Sequence, residues 1–226
     1  IEDRPQDFAG YRPRNFDMSY QGDVSIRQAL QMSLNVPTIS LLDAIGPARL
    51  TTRIRQAAVN LQLPKGETPG LAIGLGGAGI SLRDLVQLYT SLANSGRGAA
   101  LRDGTEGSEP VQPSAPVLGE QASWQIGDIL AGVVPPQGAK RLGLAYKTGT
   151  SYGYRDAWSV GYDGRYVLGV WVGRADGGSV PCLAGYVSAA PILFEAFVRS
   201  GVASVPLPRA PAGAFRTARA DLPVTQ

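Results

Sequence analysis

The sequence predicts an α+β fold: helices first, then an antiparallel sheet, then a closing helix. Three observations carry that expectation. Apolar residues recur at helical spacing through the first 134 residues, while the stretch after Pro135-Pro136 changes to strand-like runs. Asp163-Gly164 sits between two of those runs and is a strong hairpin signal. Residues 189–199 then return to an amphipathic helical pattern.

Residues 1–20 are polar, broken by Pro5 and Pro13, and read as irregular. Ile26, Leu30, Ser33/Leu34, Pro37 and Leu41 keep a roughly helical spacing. They predict a helix over 25–33, a turn at 34–37 and a second helix over 38–44, because proline disfavours helix at the residue before it. A third helix is expected over 47–60, closed by Pro64-Lys65-Gly66. Ser81 and Asp84 form a capping-box-like start for a helix on Leu82, Leu85, Leu88, Tyr89 and Leu92, which Asn94-Ser95-Gly96 ends. Residues 99–120 are rich in Gly, Ser, Pro and Glu and read as a surface loop, followed by a short helix over 121–134. Strands are expected over 144–151, 156–161 and 165–173. Beyond Pro206 the Pro/Ala/Arg composition reads as a linker or tail over 206–226, leaving 1–205 as one folded portion.

Composition excludes more than it suggests. The 226 residues contain no histidine and one cysteine, Cys182. That rules out Ser-His-Asp and Cys-His sites, His-ligated metals, disulfide scaffolds and cysteine-cluster metal sites. Any proton transfer must run through Lys, Ser, Tyr, Asp or Glu. No cofactor and no metal are expected. No run of 18 apolar residues spans a membrane, and the first residues have neither a basic nor an apolar signal region. Only Lys65, Lys140 and Lys147 are lysines among the 21 basic residues, and the arginines are scattered, so nucleic acid is not an expected partner.

The sharpest chemical signal is Lys147-Thr148-Gly149-Thr150 on a predicted strand. An ammonium and two hydroxyls bind a carboxylate, and the glycine lets a ligand backbone approach the strand. The Thr150 N–H is free to point at a developing oxyanion. A Lys-Thr-Gly triplet arises by chance in roughly one chain in twenty at average composition, so it needs a partner motif. Ser33-Leu34-Asn35 is that candidate: across a helix-to-helix turn both side chains face one cleft, Ser33 as a proton relay and Asn35 as donor and acceptor for an amide. The alternative is an Asx-type turn and helix cap.

Gly74-Leu75-Gly76-Gly77-Ala78-Gly79 matches the dinucleotide fingerprint, but its context does not. Only Leu71-Ala72-Ile73 precedes it as a possible strand, no parallel α/β alternation follows, and the correctly spaced Asp103 falls in a Gly/Ser/Pro stretch. We read a tight glycine turn feeding the Ser81 helix. Cys182, with no Lys or His near it in sequence, reads as a neutral small residue.

Ser-x-Asn followed by Lys-Thr-Gly resembles the second and third signatures of the penicillin-recognising serine acyltransferases, which need no histidine. Ser33-Leu34-Asn35-Val36-Pro37, Gly74-Leu75-Gly76-Gly77, and Leu88-Tyr89 through Gly96 resemble the transpeptidase domain of class A penicillin-binding proteins. Lys147 to Ser151 continuing to Arg155-Asp156-Ala157-Trp158 is most similar to the 1C type. Val170 to Arg174 and Ala189-Ala190-Pro191 carry the similarity to about residue 197. The resemblance implies a serine β-lactamase/DD-peptidase-like fold. One departure matters. The family's nucleophile lies in Ser-x-x-Lys, whereas Gln62, Gln137 and Leu144 stand three residues before the lysines here. The nucleophile and the N-terminal part of the domain are therefore expected upstream of residue 1, with a glycosyltransferase domain and a membrane anchor further upstream.

Carried over by motif, the resemblance implies that Ser33 shuttles a proton between nucleophile and leaving amine and that Asn35 binds the donor-peptide amide. Lys147 supplies positive potential, Thr148 and Thr150 hydrogen-bond the terminal carboxylate beside Gly149, and the Thr150 N–H donates to the oxyanion. The implied reaction is D,D-transpeptidation of peptidoglycan stem peptides outside the cytoplasm, on the periplasmic face of the inner membrane. β-Lactams would acylate the same serine. The alternative is a non-catalytic module that grips a peptide or protein. This chain alone is expected not to acylate and to be marginally folded, since apolar neighbours of the nucleophile-bearing helix would be exposed.

Overall fold

A computed structural model describes residues 1–98, 101 and 116–214. Strand β1 (Glu2–Asp3) pairs antiparallel with β2 (Gly22–Asp23), so residues 1–23 are not wholly irregular but close into a small ribbon. Four helices follow: α1 (Ile26–Gln31), α2 (Asn35–Ile45), α3 (Pro47–Gln56) and α4 (Leu82–Ala93). Helix α5 (Glu120–Leu130) leads into the sheet of β3 (Ala145–Thr150), β4 (Asp156–Tyr162) and β5 (Val167–Gly173). A π-helical turn, Gly185–Ala189, then runs into α6 (Ala190–Arg199). The architecture is α+β, as expected. Among the described residues no helix is long and apolar enough to cross a membrane.

Several expected boundaries move, each for a local reason. Helix α2 starts at Asn35 rather than residue 38, because Pro37 sits in the first turn, where its missing N–H has no intrahelical partner. Helix α3 stops at Gln56 instead of 60. Ala58 turns left-handed (φ 54°), and its N–H and that of Val59 fold back onto the carbonyls of Arg55 and Ile54. Helix α5 stops at Leu130, and the nearby Ile129 carbonyl is taken by Gln31 Nε2 at 2.8 Å. Strand β5 starts at Val167, since Asp163 Oδ1 accepts the N–H groups of Arg165 and Tyr166 and holds a wider turn there. The Ser81 cap is as expected: its Oγ accepts the Asp84 N–H at 3.0 Å.

The glycine run is a turn. Leu71–Leu75 is a 3-10 helix rather than a strand, and Gly76 is left-handed (φ 93°). A Cβ on Gly77 would lie 2.7 Å from the Ala72 carbonyl carbon, so only glycine closes it. The expected loop at 99–120 falls largely outside the described residues, as do Asp103 and residues 215–226. Residues 204–214 lie along the fold: Val205 N–H donates to Asp163, Gly164 N–H to the Val205 carbonyl, and Trp124 Nε1 to the Pro208 carbonyl.

The sheet lies between two helical layers. On one face Tyr146, buried and edge-to-face with Phe194 at 5.0 Å, joins Leu144, Ala190, Leu193 and Phe197. On the other, Ala145 and Tyr162 pack with Leu130 of α5, and Gly169 makes room for Leu82 and Val86 of α4. Burial near a fully enclosed site such as Leu193 (0% exposed) contributes both transfer and packing energy. Leu193→Ala should therefore lower stability by about 2–5 kcal/mol, read as a drop in the urea midpoint.

Candidate functional site

The turn between α1 and α2 sets the first half of the site. Helix α1 is capped by Ser25 and Gln28 acting reciprocally. It ends in a Schellman motif, with Ser33 N–H on the Leu30 carbonyl (3.2 Å) and Leu34 N–H on the Ala29 carbonyl (2.9 Å). The accompanying apolar contact is Leu34 on Ala29, with Val24. Ser33 occupies the left-handed position of this motif (φ 58°), which glycine usually takes. An L-residue there costs of order 1–2 kcal/mol and leaves its hydroxyl exposed at the turn.

The second half is the edge of the sheet. The strand order is β3-β4-β5, so β3 has one unpaired edge among the described residues. Ser151 N–H donates to the Asp156 carbonyl in the register that pairs Thr150 with Ala157. Antiparallel alternation then turns the N–H groups of residues 147 and 149 toward β4, and those of Thr148 and Thr150 outward to the open edge. Lys147 and Gly149 share the face of β3 that carries Ala145, and Thr148 and Thr150 share the face that carries Tyr146.

The two halves meet at Lys147. Its Nζ donates to Ser33 Oγ at 2.6 Å and to the Thr148 carbonyl at 2.9 Å. Removal from water pushes the ammonium down to about 8. A lysine so placed is easier to deprotonate at neutral pH than a solvated one, and it holds a serine hydroxyl in hydrogen-bond reach.

Asn35 is beside this pair but partly occupied. Its Nδ2 donates to the Arg14 carbonyl at 2.7 Å, which leaves Oδ1 and one N–H for a ligand. The Asx-turn alternative does not describe it: the cap of α2 comes from Asn15, whose Oδ1 accepts the Asn35 N–H at 2.8 Å. Thr150 Oγ1 accepts the Gly185 N–H at 3.0 Å and keeps its own O–H to donate. Gly185 can approach because it has no side chain. A Cβ there would lie 2.4 Å from the Gly149 carbonyl oxygen and 2.6 Å from that of Trp158.

Sequence reasoning brought Ser33, Asn35, Lys147, Thr148, Gly149 and Thr150 forward, and the structure brings Ser33 directly against Lys147. It missed Arg14, Asn15 and Gly185, which hold Asn35 and Thr150. The Arg12-Pro13-Arg14-Asn15 stretch between the two strands of the ribbon carried no local signal of that reach. Ser151 and Asp156 clasp the β3–β4 turn, since Ser151 Oγ donates to Asp156 Oδ2 at 2.8 Å and accepts the Asp156 N–H at 2.9 Å. Asp156 also accepts Trp171 Nε1 at 2.9 Å. Cys182 is exposed, and no cluster of three His, Cys, Asp or Glu that could hold a metal occurs among the described residues.

No protein-family profile matches the chain. Penicillin-binding protein 1C of Escherichia coli (strain K12) is 41% identical over 199 residues, covering 85% of this chain and 25% of the relative. Penicillin-binding protein 1B of Vibrio cholerae is 32% identical over 196 residues, covering 78% and 25%. The chain thus spans about a quarter of the length of these curated relatives. In fold it is similar to the PonA1 protein from Mycobacterium tuberculosis in complex with penicillin V, with TM-score 0.76 at 20% identity over 100% of this chain and 69% of that one. Penicillin-binding protein 1A from Haemophilus influenzae gives TM-score 0.76 at 16% identity, over 93% and 40%.

Two outcomes follow from the geometry. Between its folded value of about 8 and its ordinary 10.5, Lys147 is neutral in the folded chain and protonated in the unfolded one. The unfolded state then binds more protons, so stability rises with pH across that window. The urea midpoint should climb between about pH 8 and pH 9 in the parent, below the range where tyrosines titrate in the unfolded chain, and that climb should be absent in Lys147→Met. Ser33→Gly and Ser33→Ala both lose the hydroxyl that Lys147 meets, so their difference isolates the backbone. Ser33→Gly should exceed Ser33→Ala in stability by about 0.5–1 kcal/mol in urea unfolding, the relief of the left-handed residue less the added freedom of unfolded glycine.

Proposed function

The chain belongs with the penicillin-binding proteins of the 1A, 1B and 1C type, as a stretch about a quarter of their length, and from that kinship we propose that it forms the Ser-x-Asn and Lys-Thr-Gly half of a serine D,D-transpeptidase site. The observation that carries this reading is the 2.6 Å approach of Lys147 Nζ to Ser33 Oγ beside an open strand edge. In the proposed reaction a serine hydroxyl attacks the carbonyl of the penultimate D-Ala of a stem peptide. The C–N bond to the terminal D-Ala breaks, and that residue leaves as the amine. An amine from a neighbouring strand then attacks the acyl-serine and releases the serine, crosslinking peptidoglycan. Splitting one acyl transfer in two lowers each barrier.

The residue roles are proposed from the motif resemblance, with chemistry and placement in support. Ser33, hydrogen-bonded to Lys147, passes the proton from the nucleophile to the departing amine. The depressed affinity of Lys147 for its proton suits it to that exchange, and its charged form attracts the substrate carboxylate. The donor peptide lies along β3 as an added strand, an arrangement open edges favour. Thr148 and Thr150 offer hydroxyls to the carboxylate, Gly149 keeps the strand surface low, and the Thr150 N–H faces the oxyanion. Asn35 pairs with the peptide amide through Oδ1 and its remaining N–H. The nucleophile is proposed to come from a Ser-x-x-Lys preceding this stretch, residues 1–205 to be the C-terminal portion of the domain, and 206–226 a tail. Activity is proposed to be extracytoplasmic, within a protein that also carries a glycosyltransferase and a membrane anchor, with stem peptides and β-lactams as ligands.

Intact mass after treatment with penicillin tests this. A polypeptide extended at its N-terminus to include Ser-x-x-Lys should gain the mass of one drug molecule, and the 226-residue chain should gain none. No gain in a well-folded extended polypeptide would replace the transpeptidase reading with that of a binding module that kept the cleft without the chemistry. A Thr150→Val substitution in the extended polypeptide should slow acylation by about 10²-fold if the carboxylate is held as described.

A further inference from the structure

The Ser-x-Asn loop is held by a buried polar relay from the N-terminal ribbon. Helix α2 begins after Leu34, an apolar N-cap with no acceptor to offer, so its first N–H groups need a partner from elsewhere. Asn15, only 3% exposed, supplies it: Oδ1 accepts the N–H of Asn35 at 2.8 Å and meets that of Val36 at 3.5 Å. The orientation of that carboxamide is set from behind. Asn15 Nδ2 donates to the carboxylate of Asp3 at 2.9 Å to each oxygen and to the Ser19 carbonyl at 2.8 Å. Asp3 is fully buried, and its Oδ2 also accepts the Gln21 N–H at 2.8 Å. An anion acceptor fixes which end of the Asn15 amide is nitrogen, and so aims its oxygen at the start of α2. The residue before it, Arg14, presents its carbonyl to Asn35 Nδ2 at 2.7 Å. The backbone and the side chain of Asn35 are therefore both held by one two-residue step, Arg14-Asn15.

The geometry points to Asp3 and Asn15 as positioning residues for Asn35: they fix where its carboxamide presents its free oxygen and N–H, and so set how well the site accepts a peptide amide. This rests on the reading of Asn35 as the group that meets the donor peptide. A buried carboxylate serving only the ribbon would need no partner that reaches past it to a helix start 32 residues away in sequence. Here the carboxylate and Asn35 lie on one hydrogen-bonded path, and both ends of the Asn15 amide are used. Small errors in such a placement matter, because a misplacement of about 1 Å can cost about 10²-fold in rate.

The test uses the complete translated product that carries this sequence. Hydrogen exchange of the Asn35 and Val36 amides, melting temperature and the second-order rate of acylation by a fluorescent penicillin are compared for Asn15→Ala, Asp3→Asn and a control, Val59→Ala, in the core beneath α3. Asn15→Ala should lose about tenfold protection at residues 35 and 36. Its acylation should slow by about 10-fold to 10²-fold. Asp3→Asn, which keeps the volume, should move both readouts the same way by less, while Val59→Ala should lower melting alone. Unchanged exchange at 35 and 36 in Asn15→Ala overturns the inference, as does acylation slowed no more than in Val59→Ala at equal loss of melting temperature. A separate Asn35→Ala keeps the two readings apart. If it acylates at the parental rate while exchange still responds to Asn15→Ala, the role of Asn35 fails and the relay stands as a positioning device for the loop.

Discussion

The contact between Lys147 Nζ and Ser33 Oγ joins two parts of the chain that share little else: a turn between helices and the edge of a sheet. Each partner reaches it at a cost. Ser33 takes a backbone conformation that L-residues avoid, and Lys147 gives up hydration with no carboxylate beside it in its hydrogen-bond set. Such costs persist only where the surroundings over-determine the geometry. On the sheet side that support is the Tyr146–Phe194 edge contact and the enclosed Leu193, which fix β3 against α6. On the helix side it is the Schellman closure of α1 and the Asn15 cap of α2. The Ser33–Lys147 contact is thus a seam between two well-anchored elements.

Glycine serves the site in a way its motif position does not reveal. Gly149 stands in the Lys-Thr-Gly motif, yet a Cβ there would meet only ordinary contacts, 3.7 Å from Trp158 Cβ. The steric demand falls on Gly185, from a different stretch of chain, whose backbone lies on that of Gly149 and Trp158. Its N–H fixes the Thr150 hydroxyl, so the π-helical turn acts as a backing plate for the strand edge.

What was legible in the sequence was local. Asp163-Gly164 marked the hairpin, Ser81 marked the start of α4, and Lys147-Thr148-Gly149-Thr150 read as a strand because β-favouring residues and alternation act over a few positions. Pro37 misled because the usual rule about the residue before proline gives way in the first turn of a helix, where an external cap fixes the backbone. The left-handed Ser33 was hidden because the motif that makes it so normally advertises itself with glycine. Asn15 and Gly185 were illegible for a different reason: each acts across 20 or more residues on a partner that no periodicity connects to it.

The open edge of β3 also has a consequence for solubility. A row of outward N–H and C=O groups offered to a peptide is equally offered to the same strand of another copy, which is the usual route to edge-to-edge association. Most proteins bury or shorten such an edge, but a strand with the proposed role of admitting an extended guest could not. Lys147 stands on this strand, and a charge there is a recognised guard against self-pairing. The side chain proposed for the chemistry is thus also the one whose charge would discourage pairing of this strand with its own kind.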